Sequence, residues 1–193
     1  VNPAWNTASI WRLNSVNYPL LTSLFKNVAT VTANNLTQAY QGAAYTSGYT
    51  ASTVMATGLT GPLSGTLIYS GTSHTGLNVG SYVITPGGLT YGSIDNPQNT
   101  ITFVDGTLDI TPKALTATIA AASKVYDGTL TAAPVFTVAG LVGTETVTAT
   151  GAATFNTADV TTANLVTANS NALADGTNGG LASNYSLATG QTV

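Results

Sequence analysis

Residues 26–42, KNVATVTANNLTQAYQG, recur in outline at 113–128 as KALTATIAAASKVYDG. Each copy has a Lys, a strand alternating apolar residues with Thr, a short polar stretch and then Tyr-x-Gly. An internal repeat of this kind constrains a fold more than any single motif, because each copy must bury its own apolar face. NVGSYVITPGGL (78–89) and ASNYSLATGQTV (182–193) add a looser match, setting Tyr82 and Tyr185 after small or polar residues at a strand start. Two small tandem domains are therefore expected, at 26–112 and 113–193, joined within VDGTLDITPKALTATI. Residues 1–25 are expected to cap the first domain or to end a preceding region. The opening VNPAWNT reads as mid-protein sequence, so the chain is expected to be a piece of something longer.

The local patterning predicts strands. ATVTA, GTLIYS, SYVIT, NTITFV, GTLDIT, ALTATIA, PVFTVAG, ETVTATG and ANLVTAN are short, rich in β-branched and aliphatic residues, and bounded by Gly, Asn, Asp or Pro. Two windows depart from this, NNLTQAYQGAAY (34–45) and LTSLFKN (21–27), and are the candidates for helix. The fold class is mostly β.

Composition narrows the chemistry. Charged residues make up 6% of the 193, against roughly 25% in an ordinary soluble domain, so surface polarity falls to Thr, Ser, Asn and Gly. Four basic residues against seven acids leave no stripe to neutralise phosphates, and nucleic-acid binding is not expected. The absence of cysteine removes thiol chemistry, disulfides and Cys-based metal sites. No apolar run approaches the ~20 residues that span a bilayer, so no membrane span is expected.

SKVYDGT (123–129) sets Lys124 and Asp127 close together in a chain with little charge, and its Tyr126-Asp127-Gly128 invites a catalytic reading. The physical reading is a turn, since Gly takes positive φ freely and Asp bonds its own backbone. The matching Tyr40-Gln41-Gly42 lacks the acid, which a reactive site would need. Tyr40 and Tyr126 are expected to be buried in equivalent places, with Gly42, Asp127 and Gly128 shaping the turns. His74, in SGTSHTG, is expected to be solvated and cannot build a metal site alone. Asp95, Asp105, Asp109, Asp127, Asp159 and Asp175 stand singly, without calcium-loop spacing; calcium between domains stays open. GTNGG (176–180) reads as a flexible hairpin tip. Trp5, Trp11 and Tyr18 suit either a sugar-stacking platform or burial at the domain end, the latter favoured by the PLLTSLF that follows. No catalytic residue, cofactor or metal is expected.

ALTATIAAASKVYDGTLTAAPVFTVAGLVGTETVTATGAATF followed by LASNYSL resembles the YDG repeat domain of very large secreted bacterial surface proteins. AYQG, LSGTLIYSG, NVGSYVITPGGLTYG and ITFVDGTLDITP resemble the related MBG repeat, a mostly β, grasp-like domain. VNPAWNTASIWRLNSVNYPLLTSLF is similar to the tail of a GLUG-type repeat region.

The resemblance implies a stalk or spacer in an adhesin or haemagglutinin-like exoprotein at the surface of a Gram-negative bacterium, serving adhesion and biofilm formation. The implied partners are neighbouring repeats of the same chain, and extracellular polysaccharide or a cell-surface protein. A module that itself binds polysaccharide or protein is the alternative. In some surface-protein β domains a Lys forms an amide with an Asn, which would make Lys26, Lys113 and Lys124 the lysines to check.

Overall fold

The computed structural model describes residues 28–55, 63–91 and 100–193, and the backbone of 11–13 and 19–21. The described residues fall into two compact units. One takes those up to Leu36 with Tyr45–Thr75 and Ser81–Leu108; the other takes Thr37–Ala44, Gly76–Gly80 and Asp109–Val193. The strands in chain order are β1 (Trp11–Leu13), β2 (Pro19–Leu21), β3 (Val28–Ala33), β4 (Leu36–Ala39), β5 (Ala51–Met55), β6 (Leu63–Ser70), β7 (Gly80–Tyr91), β8 (Thr100–Val104) and β9 (Gly106–Thr111). There follow β10 (Lys113–Ala121), β11 (Thr131–Ala132), β12 (Pro134–Ala139), β13 (Val147–Thr150), β14 (Ala153–Phe155), β15 (Val166–Ala168), β16 (Ala172–Asp175) and β17 (Tyr185–Leu187). Short 3-10 turns sit at Thr72–His74 and Ala182–Asn184, and no α-helix occurs among the described residues. The protein is all-β.

In the first unit β3 is the centre of a three-stranded sheet, ordered β5-β3-β8. Its VATVTA places Ala29, Val31 and Ala33 on the buried face, at 0 to 3% exposure, and leaves Thr30 and Thr32 half-buried on the other. That is the period of two expected of a pleated strand. β5 pairs antiparallel with β3, and β8 pairs parallel from Val28↔Thr100 to Thr32↔Val104. β6 pairs antiparallel with β7, Leu63 opposite Tyr91, and Ile84 and Leu108 are fully buried. β1 and β2 pair with each other, Trp11 opposite Leu21. The NNLTQAYQGAAY window, a helix candidate on sequence, forms β4 and an irregular stretch instead. Its Thr and Gln suit a strand edge, and no 3.6-residue apolar stripe exists to fold a helix against.

The second unit repeats the arrangement. β10 is the centre of β12-β10-β17, antiparallel to β12 and parallel to β17 from Lys113↔Tyr185 to Leu115↔Leu187. β11, β14 and β15 form a second sheet, and β13 pairs with β16. Ile119, Ala132, Ala153, Val166 and Ala168 form the core between these strands, with Phe136 and Phe155 packed against it. Residues 191–193 lie along β15, Val193 exchanging both backbone hydrogen bonds with Val166. GTNGG is a tied turn and not a free tip. Thr177 N–H donates to the Thr146 hydroxyl at 2.7 Å and Gly176 N–H to the Gly180 carbonyl at 2.9 Å.

Candidate functional site

A polar grouping that joins distant stretches of chain lies in the second unit, around one carboxylate. Glu145 follows the Val142-Gly143-Thr144 corner, where its backbone N–H donates to the Val142 carbonyl at 3.0 Å. Tyr40 and Tyr185 donate their hydroxyls to its two oxygens, Oε1 and Oε2, each at 2.6 Å. The two rings meet edge to face with centroids 5.5 Å apart, a favoured aromatic geometry. Val142 N–H donates to the Tyr185 oxygen at 3.1 Å. Next to Tyr185, the fully buried Asn184 donates from Nδ2 to Asn78 Oδ1 and accepts from Val79 N–H, both at 2.9 Å.

Burial and then the neighbouring carboxylate push the Tyr40 hydroxyl up to about 12, and Tyr185 is raised by the same two causes. Both phenols are thereby held as donors, so neither serves as a base near neutral pH. Their hydroxyls already lie on Glu145, and the rings are 4% and 5% exposed. The arrangement fastens three distant stretches of chain and gives a reactant no approach.

SKVYDGT folds as a turn on the outside of the same unit. Asp127 Oδ1 accepts from the Thr129 N–H and hydroxyl, both at 2.9 Å, and pairs with Lys124 Nζ at 2.8 Å. Lys124 also donates to the Thr129 carbonyl at 2.9 Å, and its Nζ stands 5.9 Å from the centroid of the Phe155 ring. The lysine and the two Thr129 donors hold the exposed Asp127 carboxyl down to about 2.

Gly128 takes φ 73° as the turn requires. Tyr126, expected to be buried, is 66% exposed. The reason is local: residues 122–130 are all exposed, because the Lys124–Asp127–Thr129 bonds close the turn on itself and give the ring no core to enter. The ring borders an open groove of ≈ 300 Å³ with Lys124, Asp127, Phe155, Val160 and Ala163.

The remaining candidates fall apart from both places. Tyr82 is half-buried within β7. His74, expected in solvent, is half-buried with its ring 5.2 Å from that of Tyr49, because the 3-10 turn carrying it also buries Ser73. Trp5, Tyr18 and Lys26 lie outside the described residues, and Trp11 opens β1, where the backbone alone is described. Lys113 opens β10. Among the described residues, no three His, Asp or Glu side chains gather as a metal site would need, and no helix is long and apolar enough to cross a membrane.

Glu145 escaped the sequence reading. GLVGTETV is strand-like, and a lone Glu within it carries no spacing signal. Its one hint was chemical, an acid beside predicted strands in a chain with seven acids in all.

The segment built by these strands has a counterpart among known families. Residues 111–192 match the YDG domain. The matched range starts at the residue before Pro112 and takes in β10 to β17, with Glu145, Asn184 and Tyr185 as well as the Tyr126-Asp127-Gly128 turn. No curated protein and no solved structure matches the chain.

Proposed function

We propose that this chain is a stretch of the stalk of a secreted bacterial surface adhesin, a YDG-type unit preceded by an MBG-type unit, both acting as spacers and neither as an enzyme. The observation that supports it is the parallel pairing of an early strand with a late one in each unit, β3 with β8 and β10 with β17. Tension on the chain pulls β10 toward its N-terminal end and β17 toward its C-terminal end. In a parallel pair these directions are opposed along one line, so the hydrogen bonds between the strands are sheared together and not peeled singly. Resistance to force is a matter of unfolding rate, and shear of a whole pair raises that barrier. A spacer that holds a distal binding region away from a cell needs this property.

Pulling single molecules of the full chain at constant speed tests the reading. Release of the β10–β17 pair frees 113–187, an extension of about 25 nm at ~3.4 Å per residue, and is expected as one discrete step. Smooth lengthening at low force would overturn the spacer role. A second reading, a polysaccharide-binding module, draws on the exposed Tyr126 ring and its groove; saturable binding on a glycan array would favour it.

A further inference from the structure

The two Tyr-x-Gly turns of the repeat share a backbone shape but differ in what covers them. Gly42 and Gly128 both have φ 73°. At Gly42 an added Cβ would stand 2.5 Å from Val142 Cγ1 and 3.4 Å from Glu145 Oε1, so the turn is seated against the Val142–Glu145 corner. At Gly128 a Cβ would meet nothing within 4 Å among the described residues. Tyr40 is 4% exposed, its hydroxyl on Glu145 and its ring on Tyr185. Tyr126 is 66% exposed, and beside it Val125 is 90% exposed. Water gains little from a phenol and an isopropyl group held out on a turn that is itself fixed by three polar residues.

We propose that Tyr126-Asp127-Gly128 is a docking hook whose partner is another β unit of this kind, one presenting a free carboxylate beside a buried tyrosine and a Val-Gly corner, as Glu145, Tyr185 and Val142-Gly143 do. The first turn of the repeat, within Thr37–Ala44, already sits in such an acceptor. The second is the same hook standing open. The phenol would donate to the acceptor carboxylate, the glycine would let the corner approach, and the Lys124–Asp127 pair keeps the turn shaped beforehand. The inference rests on the spacer reading, since it needs further units of the same kind. Its test is separable from that reading because force resistance of the isolated chain does not involve Tyr126.

The full chain supplies both halves of the experiment. Tyr40→Ala leaves the Gly42 turn seated but vacates the ring site beside Tyr185 and frees Glu145 Oε1, so the Tyr126 ring of one molecule is expected to enter that site on another. Sedimentation velocity should then show concentration-dependent, head-to-tail association beyond the wild-type baseline. Tyr40→Ala/Tyr126→Ala should return to that baseline. Association that survives the second substitution, or a folded Tyr40→Ala chain that stays at the baseline, overturns the proposal.

Should Tyr40→Ala fail to fold, a graft still decides. Gln38→Lys, Ala39→Val and Gln41→Asp together give the first turn the second turn's Lys-Val-Tyr-Asp-Gly. If the two hooks are interchangeable, the grafted chain keeps its Tm within about 5 °C, a change of roughly 1 kcal/mol. A grafted chain that unfolds as Tyr40→Ala does overturns the proposal.

Discussion

The two three-stranded sheets make an informative pair. Both place the opening strand in the middle, its next sheet partner antiparallel on one side and a late strand parallel on the other. Yet the parallel pair spans five residue pairs in the first unit, Val28↔Thr100 to Thr32↔Val104, and three in the second, Lys113↔Tyr185 to Leu115↔Leu187. The shorter pair is the one with side-chain anchors at its edge. Asn184 is fully buried just before β17, and Tyr185, its first residue, is bound to Glu145. Equal topology thus rests on different chemistry: backbone length in one unit, a carboxylate and its phenols in the other.

The largest effect that bears on this contrast is expected from Tyr185→Ala. It removes a 5%-exposed ring that also carries a hydrogen bond to Glu145, and large aromatic truncations in a core cost about 3–5 kcal/mol. Denaturant melts should show that loss. Amide exchange should accelerate across β10 and β12 while β3 and β8 keep their protection. Equal acceleration in both sheets would show that the two anchoring modes are not independent.

Glu145→Gln should come next, at about 1–3 kcal/mol, since one charged acceptor holds two phenols and hydrogen bonds to a charge exceed neutral ones. The amide keeps one acceptor oxygen and turns a donor toward the other hydroxyl. If the loss is under half a kilocalorie (~0.5 kcal/mol), the β10–β17 pair does not depend on the carboxylate.

Alkali sharpens the same point. Tyr40 titrates at about 12 in the fold against an ordinary 10.0. A raised folded-state value means that its contribution is complete below pH 10 and is lost as pH climbs toward 12. Tyr185 moves in the same direction; Tyr45 and Tyr69 of the first unit do too, through burial alone. Both units should therefore loosen in alkali, and Tyr40→Phe, which cannot ionise there, should flatten the loss in the second. Near-UV circular dichroism between pH 9 and about 12 reads this. An unchanged slope would detach Tyr40 from the stability of that unit.

Much of the fold was legible in the sequence because strands announce themselves through alternation. VATVTA and KALTATIAA carry their buried faces at every second or fourth residue, and the structure places them in matching central positions. Brief strands such as β16, ALAD, gave no such signal, since four residues hold too few alternations to count. The candidate site was half legible. Tyr40 and Tyr185 stood out as repeated aromatics, but the carboxylate that joins them is 105 residues from one and 40 from the other. Contacts of that separation leave no local pattern. Tyr126 was misplaced for a related reason: the motif specifies the turn, while burial depends on what packs over it.

The smallest effect is expected at Asp127. Its carboxylate is exposed and paired with Lys124, and water and salt screen a surface pair of this kind so that it adds little to stability. Asparagine keeps the oxygen that accepts from Thr129 N–H, so Asp127→Asn should preserve the turn and leave Tm close to that of the wild type. The sign in acid is fixed by a carboxyl held down to about 2 from an ordinary 3.8. The contribution is present above pH 3.8 and disappears as pH falls through about 2, so wild type and Asp127→Asn should converge across that window. Thermal melts of the two chains at pH 5, 3 and about 2 measure the convergence. If Asp127→Asn instead removed a saturable binding activity while leaving Tm unchanged, the exposed turn would be part of a ligand site in its own right. The contrast between a seated first turn and an open second one would then mark a division of labour and not a difference in occupancy.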